Sequence, residues 1–338
     1  MGMDWFLNAE SAGHKFALMV VAILLFVLVM GLILFGLERI RRLPVWVTVL
    51  GFLGPTVLFL AFGLLYPGIR TIWTSFFDAR SDNYVGLDNY VTAFTEPQFQ
   101  IVLRNTLLWV VLVPLVSTFI GLVYAVLIDR TRFESFAKTM IFLPLSISLV
   151  GASIIWKFVY EYKQHAVNPV TGEELVHQIG ILNQVLVWLG LPPQQFLLNQ
   201  PWNTLFLIVV MIWIQAGFAM TVLSAAVKAI PDDIVEAARL DGLHGIGMFR
   251  YITVPSIRPA LVVVLTTIAI GTLKVFDIVR TMTGGNFGTS VVAYEFYTQS
   301  FRAQNAGLGA ALATILFVLV IPIVVYNVRQ LRLSEEIR

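Results

Sequence analysis

Long apolar segments separated by short polar ones dominate the pattern of this 338-residue chain. Each segment is close to the length of about 20 helical residues that crosses a bilayer core of about 30 Å. Seven spans are predicted, at residues 16–37, 45–66, 106–128, 139–160, 204–227, 259–273 and 308–328. Only 12% of the residues are charged and 58% are hydrophobic, so the charge is about half that of a soluble domain. The pattern predicts an all-α integral membrane protein.

Basic residues predict the direction of the spans, because short loops rich in Lys and Arg stay in the cytoplasm. Most of them follow spans one, three, five and seven: Arg39, Arg41, Arg42, Arg130, Arg132, Lys138, Lys228, Arg239, Arg250, Arg258, Arg329, Arg332 and Arg338. We therefore expect the N-terminus outside, the C-terminus in the cytoplasm, and long outer loops near 67–105, 161–203 and 274–307.

The first span has no polar side chain between residues 16 and 37. A helix that is apolar all round is expected to face lipid, so we interpret this span as an addition to a six-span core. The predicted organisation is an extra span with a cytoplasmic turn at residues 1–44, followed by a membrane domain at 45–338.

The cytoplasmic loop at 228–258 has strong helix signals. Pro231 presets a first helical turn, and Asp232 and Asp233 place negative charge at its electropositive end. The helix should run through Glu236 to Asp241, with Gly242 just past its C-terminus. Its adjacent alanines, Ala237 and Ala238, offer a thin side that suits insertion into a groove.

The spacing E-A-A, three residues, G, nine residues, I-x-V-P, from Glu236 to Pro255, resembles the signature loop of permeases from binding-protein-dependent ABC importers. The family usually has Leu where this chain has Val254. The resemblance implies a type I ABC importer permease fold and a loop that couples to cytoplasmic ATPases, which bind the ATP and Mg. It assigns coupling to Glu236, Ala237, Ala238, Asp241, Gly242 and Pro255.

Two outer stretches, 84–100 and 282–301, are similar to loops of carbohydrate-importing permeases related to the maltose and α-glucoside systems. This resemblance implies a heterodimer with a second permease subunit, two ABC ATPase subunits and an extracytoplasmic sugar-binding protein. The expected location is the bacterial inner membrane, with α-glucosides or related oligosaccharides as the leading substrates and no nucleic acid partner.

Sugar passage needs hydrogen-bonding and aromatic side chains within the spans, where polar groups usually face the bundle interior. When the signature loop is used to align this chain with the maltose permease, the resemblance implies substrate contacts at or near Gln215, Phe218, Thr267, Gly271 and Lys274. Interhelical hydrogen bonding is an equal alternative for Gln215 and Thr267. Lys274 could pair with Asp277 at the cavity mouth, or its side chain could extend to the interface.

The sequence lacks the residues that several classes of enzyme need for catalysis. The chain has no cysteine, no G-x-x-x-x-G-K-[ST] phosphate loop and no G-x-S-x-G nucleophile, and its histidines show no metal-ligand spacing. We therefore expect no catalytic residue, metal or cofactor in this chain. The alternatives are an ion-driven secondary transporter or a membrane glycosyltransferase, whose catalytic carboxylates would have to come from Asp78, Asp82 and Asp88.

Overall fold

The structure is a computed structural model that describes residues 12–39, 44–128, 131–163, 170 and 180–336. Most of the described residues are helical, and they form no β-strand. The all-α prediction is therefore confirmed. The predicted cytoplasmic turn at 40–43, Arg130 and Arg338 lie outside the described residues, and the predicted orientation of the spans stays a prediction.

Helices follow one another along the chain with short connections. In order they are α1 (Ala12–Arg39), α2 (Val45–Thr74), α3 (Asp88–Thr95), α4 (Pro97–Ile128), α5 (Glu134–Ser146), α6 (Leu149–Val159), α7 (Ile181–Trp188), α8 (Asn203–Lys228), α9 (Asp232–Leu240), α10 (Gly245–Ser256), α11 (Arg258–Leu273), α12 (Asp277–Met282), α13 (Val292–Tyr297) and α14 (Ala306–Glu336). Most long helices extend beyond the apolar segments that predicted them, because a helix continues into polar residues outside the hydrocarbon layer.

Five of these helices, α1, α2, α4, α8 and α14, are long and apolar enough to cross a membrane. Two further pairs pass the same test together but are sharply bent, by 104° between α5 and α6 and by 70° between α10 and α11. If each bent pair is one span, the described residues contain up to seven, which is the number that the sequence predicts.

The fourth predicted span, at 139–160, is not one continuous helix. Pro144 lies in a tight 3-10 turn in the first half of the span, where proline removes a backbone donor, and Ile147 is extended with φ −94° and ψ 141°. A new helix then starts at Leu149, because the Ser148 side chain accepts the Gly151 N–H at 3.1 Å. The span is therefore broken into α5 and α6.

The chain divides into two compact units, one ending at Arg70 and the other starting at Thr71. In the first unit α1 contacts α2, with the rings of Phe26 and Phe59 at 6.1 Å, and their other apolar side chains are largely exposed. The predicted division at residues 44 and 45 stays a prediction.

The main core of the second unit lies where α4, α8 and α11 pack together around the buried side chains of Trp109, Leu207 and Ile268. An aromatic group extends this core toward α6, with Trp156 meeting Trp213 at 5.7 Å and Tyr160 meeting Phe206 at 5.5 Å. A smaller core joins α3, α4, α13 and α14. These contacts hold α8 and α11, which carry the predicted substrate residues, in one rigid group.

Candidate coupling helix and transport path

Helix α9 forms where the loop sequence predicts it. Pro231 precedes the first turn with φ −57° and ψ 135°, and Asp232 and Asp233 occupy that turn. Their carboxylates complement the positive end of the helix dipole, while Arg239 in the last turn complements the negative end. Local charge and backbone preference therefore favour this short helix without help from a deep core.

The end of α9 is a Schellman motif centred on Gly242. The Leu243 N–H donates to the Ala238 carbonyl at 2.9 Å, and the Gly242 N–H donates to the Arg239 carbonyl at 3.0 Å. This geometry needs a residue in the left-handed region, and Gly242 has φ +84°. The motif stops the helix sharply and directs the chain toward α10.

The predicted coupling residues divide between two sides of α9. Glu236, Ala237 and Asp241 are exposed, whereas Ala238 is only 5% exposed and packs against the rest of the chain. The alanine pair is therefore not one smooth outer side, because adjacent helix positions point about 100° apart. Pro255 is also exposed but lies in the following helix α10.

Exposed apolar side chains adjoin the coupling residues. Leu240 is 89% exposed and Ile246 is 83% exposed. The exposed surface of this loop therefore presents both charged and apolar side chains.

A charge cluster ties α5 to the end of α8, directly before the coupling helix. The Glu134 carboxylate pairs with the Lys138 ammonium at 2.6 Å and also with that of Lys228. Lys138 in turn donates to the hydroxyl of Ser224, which is buried. The Glu134 side chain is 19% exposed, so these ion pairs are less screened than surface pairs. Sequence reasoning missed this cluster, except that Glu and Lys four residues apart on a helix form a recognisable pair.

Two of the predicted substrate residues, Thr267 and Gly271, lie four residues apart on one face of α11, and Lys274 directly follows the last residue of that helix. Thr267 and Lys274 are exposed, and no heavy atom lies within 4 Å of where a Gly271 side chain would begin. This face of α11 and the end of the helix therefore combine a hydroxyl, a gap and an ammonium group.

The two substrate residues predicted on α8 are half-buried. Within the described part of the chain the Gln215 amide makes no hydrogen bond, and neither does the Thr267 hydroxyl. The interhelical bonds considered for them are therefore absent from these residues. Phe218 packs against the main core with part of its ring uncovered. The nearby polar groups of Thr221 and Ser224 are already bonded to Gly217 and Lys138.

The ion pair considered between Lys274 and Asp277 does not occur among the described side chains. The reason is that α11 ends at Leu273 and α12 begins at Asp277. The two residues therefore do not share a helix face, and the spacing of three does not bring them together. Lys274 is exposed at the end of its helix.

Buried amides fasten the loop that connects α12 to α13. The Asn105 side chain donates to the carbonyls of Gly288 at 2.6 Å and Ser290 at 3.0 Å. The Asn203 side chain donates to the carbonyl of Phe287 at 2.7 Å. The loop is thereby fixed to α4 and to the start of α8.

The Asp78 carboxylate is bonded within its own turn. The Asp78 carboxylate accepts the Asn83 amide at 2.7 Å and the Asp82 N–H at 2.9 Å. The Asn83 amide, the Asp82 N–H and the Arg80 N–H hold the pKa of Asp78 below its ordinary value. A carboxylate that stays ionised within its own turn is poorly suited to donate a proton at neutral pH.

The described residues form an all-helical membrane domain with an exposed short helix between two candidate spanning segments. Residues 110–332 match the family of inner membrane components of binding-protein-dependent transport systems. The chain belongs to this family of ABC importer permeases.

Named relatives specify the kind of importer. The chain is 48% identical over 284 residues to the osmoprotective compounds uptake permease protein GgtC of Synechocystis, covering 84% of this chain and 99% of GgtC. It is 43% identical over 279 residues to the alpha-glucoside transport system permease protein AglF of Rhizobium meliloti, covering 82% of this chain and 80% of AglF. The chain is an inner membrane permease of a sugar ABC importer.

A solved structure establishes the fold. The chain resembles a bacterial ABC transporter involved in the import of the acidic polysaccharide alginate, with a TM-score of 0.70, 24% identity and coverage of 84% of this chain and 95% of that one. The type I permease fold is therefore confirmed. Family membership favours the ABC importer over the ion-driven transporter and the membrane glycosyltransferase.

Proposed function

We propose that the chain forms half of the membrane pathway of an ATP-driven importer for α-glucosides or related oligosaccharides. The name of AglF, at 43% identity, supports α-glucosides, and the Rhizobium radiobacter lactose permease protein LacF, at 29% identity over 84% of this chain, supports a wider oligosaccharide range. Permeases of this family pair with a second permease and with ATPases. We expect a heterodimer that receives sugar from an extracytoplasmic binding protein.

The exposed surface of α9 carries the coupling part of the proposal. Glu236, Ala237 and Asp241 face outward beside the exposed Leu240, which is the chemistry needed to enter a groove with a basic residue and an apolar pocket. Gly242 and Pro255 shape the chain that follows, and Ala238 holds the helix against the rest of the loop. ATP and Mg would be bound by the partner ATPases, with no cofactor in this chain.

The substrate part of the proposal depends on α8 and α11. Gln215 and Thr267 have polar groups without a hydrogen bond among the described residues, and sugar hydroxyls can satisfy such groups. Phe218 offers an aromatic surface for a sugar ring. Gly271 leaves room beside Lys274 for a neutral, hydroxyl-rich molecule.

Reconstitution tests the proposal. The tagged chain is purified with its co-purifying subunits, placed in liposomes, and supplied with the binding protein and internal ATP. Uptake of labelled maltose or trehalose is expected, with no uptake of glycine betaine as a non-sugar osmoprotectant. The chain alone should not hydrolyse ATP. Uptake of glycine betaine without either sugar, or ATPase activity of the isolated chain, would contradict the proposal.

Single-cysteine labelling in intact cells tests the orientation, since the chain has no cysteine of its own. A membrane-impermeant thiol reagent added outside cells should modify Asp88→Cys and spare Asp241→Cys. Both side chains are exposed, so the difference reports the side of the membrane. The reverse pattern would place α9 outside and exclude coupling to cytoplasmic ATPases.

A further inference from the structure

Helix α7 has its polar and apolar faces reversed relative to a helix on a soluble protein. Asn183 is fully buried, whereas Ile181, Trp188 and Leu189 are 63%, 76% and 69% exposed. With Val185, which is 38% exposed, these residues lie at helical spacings of three, four and seven on one side. We refer to Ile181, Val185, Trp188 and Leu189 as the outer apolar face of α7.

The buried polar side of α7 is fully bonded to the protein. The Asn183 amide donates to the carbonyls of Glu161 at 2.7 Å and Gln194 at 3.1 Å, and its oxygen accepts the Gln194 N–H at 2.7 Å. Gly180 packs so closely that a Cβ there would lie 2.2 Å from the Glu161 carbonyl oxygen. The orientation of α7 is therefore set by hydrogen bonds and close backbone contact, and the apolar face is held outward.

These anchors also set the level of α7 relative to the membrane. Glu161 follows directly on the end of α6, and α8 begins at Asn203 after the same connection. The Tyr160 hydroxyl donates to the Phe206 carbonyl at 3.0 Å, so the end of α6 and the start of α8 are joined. Helix α7 therefore lies at the ends of two membrane segments, where the bilayer meets water.

The surrounding sequence favours lipid over a protein as the partner that covers the outer apolar face of α7. No Asp, Glu, Lys or Arg occurs after Glu174 until Lys228, so the whole connection from α7 into α8 is uncharged. The outer apolar face of α7 itself carries only aliphatic and aromatic side chains, which is the chemistry that a bilayer surface accepts. Exposed tryptophans mark the interface of a bilayer, and Trp202 at the start of α8 is also 63% exposed.

We propose that α7 is an interfacial helix whose outer apolar face inserts into the headgroup and upper acyl region of the outer leaflet. Eight residues are too few to cross a bilayer, so the helix lies along its surface. Insertion covers the exposed leucine and tryptophan side chains and braces the outer end of α8. This inference does not depend on which sugar is transported.

A fluorophore at Leu189 tests the proposal. Leu189→Cys is labelled with the environment-sensitive dye NBD in the assembled transporter in phospholipid vesicles without binding protein, and Asp82→Cys, in an exposed charged turn, is the control. We expect a blue-shifted emission at 189 that lipids spin-labelled near the headgroup quench several-fold more strongly than at 82. Aqueous iodide should quench the two sites in the opposite order.

Other outcomes overturn the proposal. Emission at 189 like that in water, with strong iodide quenching, would mean that the apolar face is solvated. Protection from both iodide and spin-labelled lipid would mean that a protein subunit covers it. If Leu189→Cys fails to assemble, Ile181→Cys repeats the measurement on the same face.

Discussion

Gly242→Ala tests whether coupling requires the sharp end of α9. Gly242 has φ +84°, and no heavy atom lies within 4 Å of the position that a Cβ would take. The cost of alanine is therefore a backbone cost alone, about 1–2 kcal/mol for an L residue in the left-handed region. That cost shifts the equilibrium away from the observed helix end by about 5- to 30-fold.

The relaxed alternative is a helix that continues through residue 242. The hydrogen bonds from Leu243 and Gly242 to the last turn of α9 are then lost, and Leu240 and Asp241 no longer share a surface with the following chain. We expect sugar uptake per ATP hydrolysed to fall several-fold in proteoliposomes. Gly242→Asn should lose less, because asparagine tolerates the left-handed region better than alanine.

Gly190→Ala is a matched control at the end of α7. Gly190 has φ +73° with no heavy atom within 4 Å of a Cβ, and it forms the same motif, since its N–H donates to Val187 at 3.0 Å and that of Leu191 donates to Leu186 at 2.8 Å. The backbone cost is the same, but the site is remote in sequence from the coupling loop. An equal loss of coupling in both variants, or no loss in Gly242→Ala, would refute the reasoning.

Other variants test the charge cluster, the path and the helix surface. Glu134→Gln should lower the free energy of unfolding by about 1–3 kcal/mol, measured by thermal unfolding in detergent. The loss should exceed that of Glu295→Gln, because among the described residues the Glu295 carboxylate accepts from neutral side chains alone. An equal loss in both variants would contradict a stabilising role for the charge cluster. Gln215→Ala and Phe218→Ala should both weaken sugar transport. For Gln215, the loss of one hydrogen bond of about 1–3 kcal/mol lowers the affinity for sugar by about 5- to 100-fold. Unchanged uptake kinetics in both variants would place the sugar on the partner subunit. Ala237→Arg should abolish uptake but leave the protein in the membrane fraction, and normal uptake would exclude its surface from coupling.

Local signals made α9 predictable. Pro231, the two aspartates after it and Gly242 each act on their own turn of the chain, so a single sequence is enough to place the helix and its end. The long apolar spans were predictable for a similar reason, because crossing a bilayer sets their length and composition. The positions where these helices end, beyond the apolar segments, were not predictable, because hydropathy gives no information on helix length once the polar residues begin.

Contacts between distant residues were not predictable from pattern. Lys138 and Ser224 are 86 positions apart, and nothing in either local sequence indicates the other. The break in the fourth span needed more than Pro144, because proline in a membrane helix is often tolerated when neighbours satisfy the freed carbonyl. The orientation of α7 also depends on contacts outside the helix, since the bonds of Asn183 to Glu161 and Gln194 turn this polar side chain inward.

The charge cluster anchors the end of α8 that leads directly into α9. Lys228 is the last residue of α8 and pairs with Glu134, and only a short turn separates it from the start of α9. No proline interrupts α8, so a displacement at Lys228 is carried along a continuous helix to Gln215, about 20 Å away at 1.5 Å per residue. We therefore expect movement of α9 against the ATPases to reach the sugar path through α8, with the pairs to Glu134 setting how far its end can move.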